Sequence, residues 1–256
     1  MNELWQVAIF GFAALLHGMT GMGFPMLGTS ALSMAMPLSQ AVAMVALPSL
    51  LMSLLVLTAG SKQGIYQEIR HYINTYRLLA ISSVIGGVLG VWLLLILPAG
   101  YLYLLMSVVT LYYATHGLLS LAGKAKSLHV PTHRTSMILF GLLAGVVGGA
   151  TNAMSPILLI FLFSLSDDKN QIAKASNLCY LLGKLVQILM LKSTYAGLAP
   201  AQYLHLLYLT IIAMAGLFVG IWLRNKISVN IFKCLIFLVL LLLALKIGHT
   251  GITKLT

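Results

Sequence analysis

Charge is scarce in this chain: 7% of its 256 residues are Asp, Glu, Lys or Arg, against 60% apolar residues and a mean hydropathy of +1.01. So few polar groups cannot cover a soluble globule, which leaves a polytopic membrane protein. Acids are scarcest, with only Glu3, Glu68, Asp167 and Asp168, all in or near polar stretches. No carboxylate is therefore placed at membrane depth to bind a cation or relay protons, as many cation-coupled pumps require. Cysteine is limited to Cys179 and Cys234, each alone in an apolar run. They read as small core residues rather than a disulfide or a metal pair. Neither a His-Glu-x-x-His zinc motif nor a Gly-x-Ser-Gly nucleophile motif occurs, and "GTSA" at Gly28 is a faint echo, so an intramembrane enzyme is not expected. Methionine is scattered as apolar filler rather than gathered as thioether ligands, and no metal or cofactor is expected.

What is present is long apolar runs. Eight segments stand out, about 5 to 35, 37 to 60, 76 to 98, 100 to 122, 135 to 165, 171 to 192, 201 to 223 and 229 to 248. The opening "MNELW" has no Lys or Arg, so the first run is read as part of the fold rather than a signal peptide. The formal charge of +11 comes from residues mostly in short loops, a topology signal and not a nucleic-acid footprint.

The chain matches itself. At a shift of 131, Thr20 falls on Thr151, Pro25 on Pro156, Ser33 on Ser164 and Gln40 on Gln171. At a shift of 130, Gly86, Gly90 and Trp92 fall on Gly216, Gly220 and Trp222. Two four-segment repeats follow, residues 1–123 and 135–256, joined by a polar loop at 124–134.

Each half opens with an interrupted segment, "LLHGMTGMGFPMLG" (Leu15 to Gly28) and "GLLAGVVGGATNAMSPILLIFLF" with its break at Gly148 to Pro156. Matched breaks in two repeats point to a transporter's substrate site, because freed backbone at membrane depth persists only where protein or a wet cavity satisfies it. Ser155 before Pro156 reads as an N-cap opening a half-helix, and Pro25 serves the first half alike. Such N-termini suit anions. If each broken segment is a re-entrant hairpin, one side gathers Lys62, Arg70, Arg77, Lys124, Lys126, Arg134, Lys169, Lys174, Arg224 and Lys226, leaving Lys192 and Lys254 opposite. The charge rule prefers that layout, with inverted halves and both termini outside, to eight full crossings.

Lys184 lies inside "LCYLLGKLVQILML", 13 residues past Gln171, about 20 Å along a helix. A lysine that deep without an acid is expensive and marks a cavity or ligand. Asn177, Tyr180 and Gln187 share its helical stripe. His17, directly before the first break, is a candidate for coupling a proton to anion movement.

These residues resemble a known family. "GMTGMGFPMLGTSAL" is similar to the G-x-T-G-x-G-F motif of the sulfite exporter TauE/SafE (TSUP) permeases, and "GVVGGATNAMSPILLIFLF" to their second-half motif, which more typically ends in Gly-Pro-Pro. The resemblance spans the chain and implies a multi-pass inner-membrane permease for sulfur-containing or organic anions such as sulfite or sulfonates. Its motif regions fall on Thr20, Gly21, Gly23 and Pro25, and on Thr151, Asn152, Ser155 and Pro156.

The expectation is an all-α polytopic protein moving a small anion by alternating access. Backbone N–H groups with Thr20, Thr151, Asn152 and Ser155 would donate hydrogen bonds, and Lys184 would supply the charge. Proton linkage through His17, sodium linkage and uniport all stay open. The second reading is a non-transporting membrane scaffold or assembly factor. The expected partners are the anion and the bilayer, with a homodimer suggested only by polytopic permeases in general.

Overall fold

The computed structural model describes residues 3–33, 36–61, 64–125, 129–197 and 200–255. Among them are eleven α-helices and no strand. The first apolar run is split into α1 (Glu3–Thr20) and α2 (Phe24–Leu32), and α3 (Leu38–Thr58), α4 (Ile65–Ile96) and α5 (Ala99–Leu121) follow. The second half holds the split pair α6 (Arg134–Thr151) and α7 (Ser155–Leu165), then α8 (Lys169–Met190), the short α9 (Lys192–Ala196), α10 (Pro200–Arg224) and α11 (Val229–Thr253). Lys62 and Lys126 fall outside the described residues.

The run expected from residue 76 marks a kink rather than a start. α4 begins at Ile65 and bends at Tyr76, where φ −110° and ψ 22° interrupt the helix. The polar first turns before that bend hid the helix from a hydropathy reading. Six helices are long and apolar enough to cross a membrane: 38–58, 65–96, 99–121, 134–151, 202–224 and 230–253. α8 is not among them, because its polar stripe lowers its hydropathy.

Both split pairs double back. Phe140 of α6 stacks on Phe161 of α7 with ring centroids 5.8 Å apart. At the open end, Val130 N–H donates to Ser164 Oγ at 3.0 Å. In the first pair the rings of Phe10 and Phe24 meet edge to face at 5.3 Å. Further along α2, Gly28 lies against Phe10 and Val45. α2, at nine residues, is about 14 Å long and cannot cross the hydrocarbon core alone.

Glycine sets how the long helices meet. α1 runs parallel to α10, with Gly11 beside Gly216 and Gly18 beside Leu217 and Gly220. α6 runs parallel to α4, with Gly145 beside Ser83 and Gly149 beside Gly87 and Val91. A Cβ on Gly220 would fall 2.2 Å from the Leu15 carbonyl oxygen, and one on Gly90 2.1 Å from that of Val146. These backbones approach too closely for any side chain, the small-residue packing typical of membrane helices. α5 and α11 are antiparallel and joined by Ser107 Oγ donating to the Ala244 carbonyl at 2.7 Å. α8 packs between α3 and α4, and that position brings it to both breaks.

Candidate functional site

The first break is built by glycine at positive φ, 77° at Gly21 and 101° at Gly23. That region costs a side-chain-bearing residue strain but costs glycine almost none. The second break uses Asn152 at φ 67° as the left-handed residue that ends α6, a conformation asparagine tolerates best among residues with a Cβ. In both, proline stands at the second helical position of the returning helix, Pro25 after Phe24 and Pro156 after Ser155. Ser155 is therefore the first residue of α7 and not its cap. Met154 occupies the cap position without a side-chain bond, and Ser155 Oγ instead accepts from Tyr180 OH at 2.8 Å.

α8 supplies the partners that the breaks lack. It starts where Asp168 accepts hydrogen bonds from the N–H groups of Asn170 and Gln171, an N-cap that satisfies two otherwise orphaned donors. From there the polar stripe reaches one break after the other. Asn177 Nδ2 donates to the Gly21 carbonyl at 2.8 Å, and its Oδ1 meets His17 Nε2 at 3.1 Å. Ten residues on, Gln187 Nε2 donates to the carbonyls of Gly148 and Gly149 at 3.0 and 3.2 Å and to Asn152 Oδ1 at 2.8 Å. Backbone freed inside the bilayer must find such partners within the protein.

Lys184, 4% exposed, stands between these anchors. Its ammonium donates to Asn152 Oδ1 and, at 2.8 Å, to Gln187 Oε1. Lysine can only donate, so these contacts fix the orientation of both amides. Asn152 Nδ2 then donates to Thr29 Oγ1 at 2.6 Å, tying the second break to α2. Both partners of Lys184 are neutral amides, and the two ion pairs among the described residues, Lys174–Glu68 and Lys233–Asp167, involve other lysines. A buried cation without a counter-ion is costly. An anion beside it would repay that cost.

Beside Lys184 is a cavity of about 10 Å³, lined by Pro25, Asn152, Met154, Tyr180, Gln187 and glycines of α6 and α8. That is room for about one water molecule, too little for an oxyanion in this conformation. Of the residues expected there, Pro25, Asn152, Tyr180, Lys184 and Gln187 come together around it, with Ser155 one hydrogen bond behind. Asn177 and His17 belong to the first break, and Gly21 and Gly23 shape it. Thr151 is turned to its own helix, and Thr20 ties the end of α1 to the first break, its Oγ1 lying 3.0 Å from the Met22 carbonyl and accepting from Met22 N–H at 3.3 Å. Thr20 Oγ1 is 2.7 Å from the Leu16 carbonyl and Thr151 Oγ1 2.6 Å from that of Val147, and neither lines the cavity. Pro156 is buried but likewise outside the lining. Thr29, Met154 and Gly183 were not anticipated. Arg224, in sequence a topology charge, is 2% exposed and donates through Nε and Nη2 to the Gly18 carbonyl at 2.9 and 2.5 Å.

The family model described as "Sulfite exporter TauE/SafE" matches residues 7–247. No curated protein and no solved structure matches the chain.

Proposed function

The chain belongs to the sulfite exporter TauE/SafE family of membrane transporters, and on that premise we propose that it is a permease for a small anion, sulfur-containing or organic, such as sulfite or a sulfonate. The observation that carries this reading is the buried Lys184 ammonium, held by two neutral amides at the second break and without a carboxylate partner among the described residues. The anion completes the charge balance there, with Tyr180 and Gln187 alongside it. A cavity with room for one water has to widen to take such an anion, and alternating access supplies that opening on one side at a time. Opening requires the α6–α7 hairpin and α8 to part at Asn152.

The layout that goes with this reading is two inverted four-element repeats. Its support is the reciprocity of the contacts: Gly86 meets Leu142 and Gly90 meets Val146, while Gly216 meets Gly11 and Gly220 meets Leu15. Each contact maps onto its counterpart at the repeat offset. The crossings in this layout are α3, α4, α5, α8, α10 and α11; α6, though long enough to cross, turns back through α7 as the long arm of a re-entrant hairpin, as α1 does through α2. One face gathers the start of α4, the loop before α6, the start of α8 and the end of α10. It holds Arg70, Arg77, Lys124, Arg134, Lys169, Lys174, Arg224 and Lys226, and the positive-inside rule makes it the cytoplasmic face of an inner membrane.

The test is a thermal-shift panel on purified protein with sulfite, sulfate, sulfoacetate, taurine and a carboxylate, repeated on Lys184→Ala. A shift with one anion class, lost in the folded variant, is the expected result. No shift with any anion overturns the permease-site reading in favour of a scaffold.

A further inference from the structure

On the lysine-rich face, a second cavity of about 160 Å³ opens between the α3–α4 turn and the ends of α8 and α10, lined by Ala59, Gly60, Asn170, Lys174, Ile221, Arg224 and Asn225. It is large enough for a small oxyanion and its hydration, unlike the pocket at Lys184. Its two cations differ. Lys174 is paired with Glu68 at 2.5 Å, whereas Arg224 is in neither ion pair among the described residues. Two of the guanidinium nitrogens hold the Gly18 carbonyl, and Nη1 has no hydrogen bond there among the described residues. Nearby, Lys169 Nζ donates to the carbonyls of Arg224 and Ile227, and Asp168 caps α8.

The position of Arg224 links this cavity to the site. Gly18 is in the last turn of α1, immediately after His17, whose ring is hydrogen-bonded to Asn177, which in turn holds the Gly21 carbonyl at the first break. His17 is fully buried, and its Nδ1 has no hydrogen-bond partner among the described residues. A chain of polar groups thus leads from the cavity to the break, and a buried arginine with a free edge heads it. Guanidinium recognises oxyanions through paired N–H donors.

We propose that this cavity is the docking vestibule of the transported oxyanion on the lysine-rich face, with Arg224 as its receiving cation and Asn170 and Asn225 at its rim. The inference rests on the anion-permease reading above.

The experiment measures sulfite flux in proteoliposomes of known protein orientation, with substrate presented to each face in turn. Three proteins are compared: wild type, Arg224→Lys and Asn170→Asp. The second variant leaves the Gly18 contacts intact and places its carboxylate in the first turn of α8, where an acid favours the helix, so it tests the vestibule without risking the fold. A carboxylate at the rim opposes an entering anion, and KM from the lysine-rich face is expected to rise about tenfold, with kcat and the opposite-face KM unchanged. Arg224→Lys, which keeps the charge and loses the fork, should raise the same KM more modestly. Equal effects on both faces, or none from Asn170→Asp, overturn the vestibule while leaving Lys184 as the site. Wild-type flux absent for sulfite, and likewise for sulfoacetate and taurine in the same vesicles, overturns both readings together.

Discussion

Replacing Lys184 by methionine should separate stability from function. Lys184 is 4% exposed and its ammonium's partners are Asn152 Oδ1 and Gln187 Oε1, both uncharged. Methionine removes the burial cost of a charge, which is several kcal/mol for an unpaired ion. In exchange Gln187 Oε1 loses its lysine donor, a penalty of about 1–3 kcal/mol for a buried acceptor. Asn152 Oδ1 keeps Gln187 Nε2 at 2.8 Å. The unliganded variant should therefore be as stable as the parent or more so. Anion binding moves the other way. A unit charge about 4 Å from an anion at an effective dielectric of 20 to 40 contributes about 2–4 kcal/mol, a loss of about 30- to 1,000-fold in affinity. Detergent-solubilised thermal unfolding and a binding titration with sulfite measure the two effects on one preparation. Retained affinity within about threefold, or a variant that is destabilised without ligand, would refute the assignment of Lys184 as an uncompensated charge awaiting an anion.

Gly90→Ala and Gly220→Ala should destabilise by similar amounts, at least about 1–3 kcal/mol each as overpacking does, because their added Cβ atoms would fall 2.1 and 2.2 Å from facing carbonyl oxygens; unfolding by denaturant reads this. Thr20→Val and Thr151→Val should leave sulfite affinity within about threefold, since Thr151 is bonded within its own helix, Thr20 to Leu16 and to the backbone of Met22, and neither lines the cavity. A loss comparable to that of Lys184→Met in the same titration would put a threonine back in the site. Asn177→Leu strips the Gly21 carbonyl of its side-chain donor at 2.8 Å and should cost about 1–3 kcal/mol. Seven residues from Lys184, about 10 Å along α8, its stability effect should add to that of Lys184→Met within about 0.5 kcal/mol. Turnover should not add, if α8 carries both breaks as one body, and a double-mutant cycle on flux decides between the two.

The two breaks and the polar stripe were legible because both leave a local mark: glycines and a proline where an apolar helix would avoid them, and amides at helical spacing around one lysine. Which groups those amides serve was not legible. Nothing local in Asn177 says that it holds Gly21, 156 residues away, or that Gln187 holds Gly148 and Gly149. The cap at Ser155 was misplaced by one residue, since the serine-proline signature fixes a helix start only to within a turn, and Tyr180 claims that hydroxyl. Arg224 was hidden for a related reason. At the end of a helix, beside Asn225 and Lys226, an arginine reads as an interfacial charge until the neighbouring backbone of Gly18 is seen to bury it.

The contacts between helices are reciprocal, yet the chemistry is one-sided. At the 131-residue offset, Asn177, Tyr180, Lys184 and Gln187 fall on Ala46, Ser49, Ser53 and Val56 of α3, all buried and none charged. α3 and α8 pack on each other, so a lysine on both would bury two ammoniums without a counter-ion in the same interior. Each would have to be desolvated, and a single anion leaves one of the two positive charges unbalanced. One helix therefore carries the charge, and the same helix reaches Gly21 at one end of its stripe and Gly148 at the other. On the proposed reading an ion held at Lys184 is tied to both hairpins through α8, whose Asn177 holds Gly21 and whose Gln187 holds Gly148.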